Sequence, residues 1–266
     1  MIDLGHALPG GTLLKDDKGV NETYRGLIEV GSARLSAYIK LLPDRQLVNE
    51  LLASVLGRLV GLPMPRGFLV EVRRVDYPDS PLVMASGASV VPAFAVEAVA
   101  CLSLQRRLDL KSPAAREQLF RAWPNWYSAA AFDDWIANAD RHPGNLLVGA
   151  PGEVWLIDQS HAFTGDKWQA VNLQPNLISG NRLCQDMNLW LRPPEKAIAI
   201  QACHAAVQRF SSIDTVQAAQ LAHVVTQLSP SDLDALTHFV RDRVHTVAPR
   251  IGSILGIPCL PLGAVP

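Results

Sequence analysis

The sequence predicts an α+β chain in two lobes, a strand-rich first lobe with one helix and a mainly helical second lobe. Two observations predict it. Over the first hundred residues, short apolar-rich runs alternate with turn signals and are interrupted by one long helical pattern. Beyond Leu104 the spacing turns helical, apart from one small hairpin. The boundary is expected between residues 1–97 and 98–266. With 266 residues, 48% of them hydrophobic, the chain can build a core for each part.

The elements follow in order. Pro9–Glu22 reads as loop, because Gly10, Gly11, Asp16, Asp17, Gly19 and Asn21 favour turns. Tyr24–Val30 and Leu35–Leu42 read as a hairpin turned at Gly31-Ser32-Ala33. The clearest helix begins at Pro43-Asp44, with Asp44 as N-cap. It carries Leu47, Val48, Leu51, Leu52, Val55, Leu56 and Leu59 at helical spacing, and stops at Gly61 and Pro63. Gly67–Arg73 is a strand, and Leu82–Ala85 and Ser89–Val96 read as two more, turned at Ser86-Gly87. Ser112-Pro113 opens a helix to about Trp123, and Ser128–Asn138 is a second. Asn145–Val148 and Val154–Asp158 flank a Pro151-Gly152 turn. Three helices are expected from Pro194 to Ile254, the last capped at Ser231 and running to Val247.

Composition excludes several functions. The formal net charge is −1 and no basic run stands out, so nucleic-acid binding is not expected. Arg241, Arg243 and Arg250 read as a solvated helix face. The four cysteines, Cys101, Cys184, Cys203 and Cys259, form no CxxC pair and read as free thiols. The start, MIDLGHALPGG, lacks a basic stretch followed by an apolar core. Pro81–Leu104 holds one charge but is broken by Gly87 and Pro92, unlike the roughly 20 apolar residues of a membrane span. The expectation is a soluble, cytoplasmic protein.

The chemistry concentrates in Phe132–Phe163. This stretch holds Asp140-Arg141-His142-Pro143-Gly144-Asn145, a two-strand turn, then Leu156-Ile157-Asp158. A short loop places Asp140 and Asn145 together, and the hairpin returns Asp158 beside them. Phosphoryl transfer from ATP needs such parts: a carboxylate near the attacking hydroxyl, and hard oxygen ligands for Mg²⁺. The plainer alternative is that Asp, Pro, Gly and Asn simply make a turn. Arg141 could touch phosphate or pair with a neighbouring carboxylate. His142 reads as packing the loop, and Asp133 as anchoring it through backbone hydrogen bonds. Upstream, Ala37-Tyr38-Ile39-Lys40 ends a predicted strand, and the helix that follows carries Glu50. Kinases use a strand Lys on the nucleotide phosphates and a helix Glu that pairs with it, in that order. Glu50 lies off the apolar stripe, as either a cleft-facing or a solvated Glu would.

The pattern FDxWxxNxDRHxxNLL…LID resembles the catalytic and metal-binding loops of HipA-like kinases and is similar to those of phosphatidylinositol kinases, both of the protein-kinase-like fold. Gly61-Leu62-Pro63-Met64-Pro65 resembles the helix exit of HipA-like kinases, so the resemblance spans about residues 20–165. It implies a catalytic set of Asp140, Asn145 and Lys40, with Asn145 and Asp158 as Mg²⁺ ligands. It implies a nucleotide site of Lys40, Glu50 and Asp158, with Asn21 and Thr23 near the phosphates and adenine along Val91–Glu97. The chain departs from protein kinases in having Gln159-Ser160 after Asp158, and in lacking a GxGxxG loop before Lys40. The resemblance implies an ATP- and Mg-dependent kinase acting on protein Ser or Thr, of toxin type, with an antitoxin-like partner. Alternatives are a lipid or small-molecule kinase, transfer of AMP instead of phosphate, and a non-catalytic nucleotide-binding scaffold. Ser32, Ser36 and Thr23 are candidate sites of autophosphorylation.

Overall fold

The computed structural model of the chain describes residues 1–14 and 21–257. Asp16, Asp17, Gly19 and Cys259 lie outside the described residues. The fold is mixed α and β. Its first part holds β1 (Asp3–Ala7), β2 (Thr12–Leu13), β3 (Glu22–Val30), β4 (Ala33–Leu41), helix α1 (Asp44–Leu59), β5 (Gly67–Arg73), helix α2 (Pro81–Ser86) and β6 (Val90–Glu97). These strands form one sheet in the order β1-β5-β6-β4-β3-β2. The β3–β4 hairpin turns at Gly31 (φ +59°), where glycine has no Cβ to clash.

Within the loop expected over Pro9–Glu22, Thr12–Leu13 is strand β2, and β1 precedes that stretch where no element was expected. β1 runs parallel to β5 and also pairs with β3, so five strands close on themselves. Gly5 permits the closure, since a Cβ there would lie 2.5 Å from the Glu29 carbonyl oxygen. Ile28, Ala37, Ile39, Phe68, Val70, Val72, Ala93 and Ala95 fill the interior as a core of their own. The expected strand Leu82–Ala85 is helix α2. Ser80 Oγ accepts the Val83 N–H at 3.2 Å, Pro81 occupies the first turn, and Gly87 (φ +67°) ends it. A Ser-Pro start and a Gly stop outweigh a four-residue apolar run.

α1 begins as expected, but Pro43 is the N-cap and Asp44 is an acid of the first turn. Residues Gln46 to Gly57 are all buried, because the helix packs against β5 and β6 on one side and helices on another.

The second part holds β7 (Leu102–Ser103), α3 (Pro113–Ala122), α4 (Trp126–Trp135), β8 (Leu146–Val148), β9 (Val154–Leu156), α5 (Arg182–Trp190), α6 (Pro193–Ser211), α7 (Thr215–Leu221) and α8 (Pro230–Leu255). β7, β8 and β9 form a small antiparallel sheet. Ser112 caps α3 through the Ala115 N–H. α5 was not expected; Asn181 caps it by accepting the Cys184 N–H at 3.0 Å. α8 is capped by Ser229 rather than Ser231, and continues through Pro249 to Leu255. α4 is the apolar centre, contacting α5, α6 and α8. Trp135 stacks on Phe210 and donates to the Val240 carbonyl at 2.8 Å. Among the described residues, no helix is long and apolar enough to cross a membrane.

Of the expected solvated arginine face, Arg241 is exposed as expected, but Arg243 and Arg250 need correction. Arg243 is fully buried, and its guanidinium donates to the carbonyls of Asp134, Pro175 and Leu177 and to Ser179 Oγ. Arg250 pairs with Asp134 at 3.0 Å. A buried guanidinium with four oxygen acceptors around it is tolerated where a solitary one is not.

Candidate active site

β4 delivers Lys40 to the inner end of the sheet, opposite Thr23 on β3 and Phe94 on β6. α1 follows after two residues and turns Glu50 back toward it. Lys40 Nζ donates to Glu50 Oε1 at 2.5 Å and lies 3.3 Å from Asp158 Oδ1. Glu50 Oε2 accepts the Gln159 N–H at 2.9 Å, so one carboxylate ties strand, helix and the segment after β9 together. Glu50 is 2% exposed, which decides for the cleft-facing reading over the solvated one.

The electrostatics follow from this packing. Burial alone would lower Lys40, but the Asp158 and Glu50 carboxylates beside it outweigh that and raise its pKa. Burial likewise pushes Asp158 up, yet the Lys40 ammonium and the Ser160 hydroxyl hold it well below the usual carboxylate range. Burial raises Glu50, against the Lys40 ammonium that favours its charged form. Asp158 is thus ionised and 36% exposed at neutral pH, a carboxylate open to a cation.

Asp158 also has φ +58°, a left-handed backbone that Asp tolerates better than most residues. The strained residue is held from both sides. The Ile157 N–H donates to the Asn145 carbonyl at 3.1 Å, and the Gln159 N–H is held by Glu50.

The Asp140–Asn145 loop is fixed by a buried arginine. Arg141 makes a two-pronged pair with Asp133 (2.8 and 3.0 Å), both side chains fully buried. Its remaining N–H groups reach the Ile157 carbonyl at 2.7 Å and Gln159 Oε1 at 2.5 Å. Arg141 therefore pairs with a carboxylate, and Asp133 anchors the loop by its side chain, not only through backbone bonds. Asn138 Oδ1 accepts the Asp140 N–H at 3.1 Å. His142 Nδ1 accepts the Gly144 N–H at 2.9 Å, a packing role within the loop. Asn145 Nδ2 donates to the Asp140 carbonyl at 2.8 Å. The Asp140 carboxylate is 37% exposed, with Arg182 at 3.6 Å and His142 at 3.9 Å.

The structure thus gathers Lys40, Glu50 and Asp158 through side chains, and Asp140, Asn145 and Asp158 through one hydrogen-bonded loop and hairpin. Phe94 and Val96, within the expected adenine stretch, line a narrow hollow of about 20 Å³ with Lys40, Met64, Leu156 and Asp158. Thr23 lies opposite Lys40, but its hydroxyl bonds to the Asn21 carbonyl rather than to the acidic cluster. Among the described residues no group of three or more His, Cys, Asp or Glu forms a metal cage.

Three contributors escaped the sequence reading. Asn49, beside Glu50, donates from Nδ2 to the carbonyls of Ser160, Ala162 and Gly165 at 2.7–2.9 Å, while Oδ1 accepts from Trp168 Nε1. Its signal was a second polar residue beside Glu50 in a helix that is mostly apolar over residues 47–56. Gln159 bridges Arg141 and Asn138. Arg182 stands against Asp140, with nothing in the sequence to mark it.

Comparison with known proteins agrees with this geometry. The protein-family model described as HipA-like kinase matches residues 37–213. No curated protein sequence matches the chain. Among solved structures, the Helicobacter pylori proinflammatory kinase CtkA is similar in fold, with a TM-score of 0.54 and 11% identity over 90% of this chain and 96% of that one. HipA of Shewanella oneidensis MR-1, solved with HipB and operator DNA, aligns over 94% of this chain and 67% of its own at a TM-score of 0.45 and 13% identity.

Proposed function

The chain belongs to the HipA-like kinase family, and from that premise we propose a two-lobed, ATP- and Mg-dependent phosphotransferase acting on protein Ser or Thr. The observation that carries the reading is Lys40 Nζ held at 2.5 Å from Glu50 and 3.3 Å from Asp158, beside a hollow walled by Phe94 and Val96. Residues 1–97 form the nucleotide lobe and residues 98–266 the helical lobe, with the hollow at their junction.

In this reading adenine lies along β6, and Lys40 faces the phosphates, oriented by Glu50. Gln159 Nε2 is buried without a partner among the described residues and lines the same hollow, a donor available to a ligand's oxygens. The side chains fit a cation held jointly with phosphate. The Asn145 amide nitrogen is committed to the loop, which leaves its oxygen, and Asp158 is ionised. Mg²⁺ needs one or two such protein oxygens when phosphates and water supply the rest. Bound there, Mg²⁺ would neutralise charge on the transferring phosphoryl group.

Asp140, exposed at the mouth of the loop, accepts the proton of the acceptor hydroxyl as that oxygen bonds to the γ-phosphorus and the bond to ADP breaks. Family membership supports a toxin-type kinase with a protein acceptor and an antitoxin-like partner, in the cytoplasm. Calorimetry of Mg·ATP binding tests the nucleotide site, on wild type and on Asp158→Ala. Magnesium-dependent binding that weakens at least about tenfold in the variant is expected for loss of a metal-ligating carboxylate. A folded wild type that binds no Mg·ATP would remove the reading.

A further inference from the structure

The Asp140 loop and the Lys40–Glu50 pair come from distant parts of the chain, and one buried side chain joins them. Gln159 follows Asp158, and Glu50 Oε2 accepts its backbone N–H at 2.9 Å. Its side-chain oxygen serves the catalytic loop. Oε1 accepts from Asn138 Nδ2 at 3.0 Å and from Arg141 Nη2 at 2.5 Å. Asn138 in turn accepts the Asp140 N–H on Oδ1 at 3.1 Å. A continuous path of hydrogen bonds therefore runs from Lys40 Nζ through Glu50, Gln159 and Asn138 to the Asp140 backbone.

Glu50, Gln159 and Asn138 are all buried, so solvent does not replace a lost partner along this path. Oε1 has two lone pairs, and Arg141 and Asn138 use both. Arg141 keeps its Asp133 pair if that oxygen is removed. Asn138 Nδ2 has no such reserve, and a buried amide donor without an acceptor turns to find one. Its Oδ1 turns with it, away from the Asp140 N–H. The Asn138 backbone is fixed, since its N–H donates to the Asp133 carbonyl at 2.8 Å just after Ala137 (φ +50°). The loop's own bonds, from the His142 N–H at 2.7 Å and Asn145 Nδ2 at 2.8 Å, hold the Asp140 carbonyl and leave its N–H side to Asn138. A displacement of about 1 Å at a reacting group can cost about a hundredfold in rate.

We propose that Gln159 is a positioning residue. Through Oε1 and Asn138 it sets where Asp140 stands relative to the Lys40–Asp158 site, so that α1 and the catalytic loop keep one register. A neutral amide suits the place, because both groups facing its oxygen are donors. An apolar side chain would fill the space and offer them nothing. The inference rests on the reading of Asp140 and Lys40 as parts of one phosphoryl-transfer site.

The test uses the full chain with two variants. Gln159→Met keeps the length and removes the acceptor. Gln159→Glu keeps an oxygen for Asn138 and Arg141, with its charge set against the Arg141 guanidinium. Mg·ATP affinity, label transfer from saturating γ-labelled ATP to water and to a degenerate Ser/Thr peptide mixture, and amide hydrogen exchange without nucleotide are read on the same samples. Gln159→Met should slow transfer about a hundredfold, well beyond its effect on Mg·ATP affinity, and lose protection over residues 138–142. Gln159→Glu should bind Mg·ATP more weakly than wild type, lacking the Nε2 donor, yet recover at least about tenfold of the transfer rate lost in Gln159→Met, and the protection with it. That crossing of affinity against rate does not arise from a general loss of structure. Adding Gln159→Met to Asn138→Ala should slow transfer by no more than about threefold further, since the path is already cut. A Gln159→Met protein that exchanges and transfers like wild type, a loss that Gln159→Glu does not recover, or losses that multiply in the double variant would each overturn the proposal. If the wild type transfers no label, the kinase reading falls, and the exchange comparison alone decides whether Gln159 sets the Asp140 loop.

Discussion

Replacing Glu50 by Gln keeps its shape and removes its charge. In the folded protein, Glu50 is 2% exposed, accepts Lys40 Nζ at 2.5 Å and the Gln159 N–H at 2.9 Å. Removing one partner of a buried ion pair costs about 3–5 kcal/mol when the other charge is left alone. Lys40 is not left alone, because Asp158 stands at 3.3 Å and remains ionised. The Gln amide can still accept the Gln159 N–H. A loss of about 1–3 kcal/mol is therefore expected, below the full penalty. The functional effect should be larger than the stability effect. Without Glu50, the ammonium shifts toward Asp158, where it competes with a cation, so the metal dependence of nucleotide binding should weaken. Urea unfolding gives the stability, and calorimetry with Mg·ATP at several magnesium concentrations gives the binding. Stability within about 0.5 kcal/mol of wild type, together with unchanged magnesium dependence, would refute the coupling of α1 to Lys40 and Asp158.

Other outcomes follow from the same contacts. Asn49→Ala removes the donor to three carbonyls and the acceptor of Trp168, so a loss of roughly 2–4 kcal/mol is expected. Hydrogen exchange should show the loss of protection centred on residues 160–168; uniform change across the chain would contradict it. Asp186 has its folded pKa raised to about 6, above the value near 4 of an unfolded Asp. The folded state then holds the proton more tightly, and stability falls as pH rises from about 4 through about 6. Asp186→Asn should gain on the order of 1 kcal/mol over wild type at pH 8 and little at pH 4, as paired urea titrations would show. A gain equal at both pH values would point to packing instead of charge.

What the sequence revealed is what short-range physics controls. The β3–β4 hairpin and α1 were legible because a turn and a helical period are local. β1 was not, since its partners β5 and β3 lie far along the chain and its own five residues, DLGHA, carry no strand pattern. α2 was misread because four apolar residues suit either a strand or a buried helix, and only the Ser80 cap decides. Arg243 was misread because charge usually means solvent, and the carbonyls that satisfy it come from remote loops. In the candidate site, Asp140 and Asn145 are linked within one short loop, so their spacing carried the information. Glu50 was left between two readings because a helical wheel ignores what packs on it from two sides. Arg182 and Asn49 act on segments distant in sequence, and no local pattern marks such contacts.

The central claim is that Asp140 serves phosphoryl transfer on a nucleotide held by Lys40 and Asp158. The most direct measurement is transfer of label from γ-labelled ATP, to water and to a degenerate Ser/Thr peptide mixture, by wild type and by Asp140→Asn, with Mg·ATP binding measured on the same samples. The account predicts transfer by the wild type, and a fall of at least about a hundredfold in Asp140→Asn with binding retained, as removal of a general base gives. Mg·ATP binding without any transfer by the wild type, or an Asp140→Asn variant as active as the wild type, would contradict it.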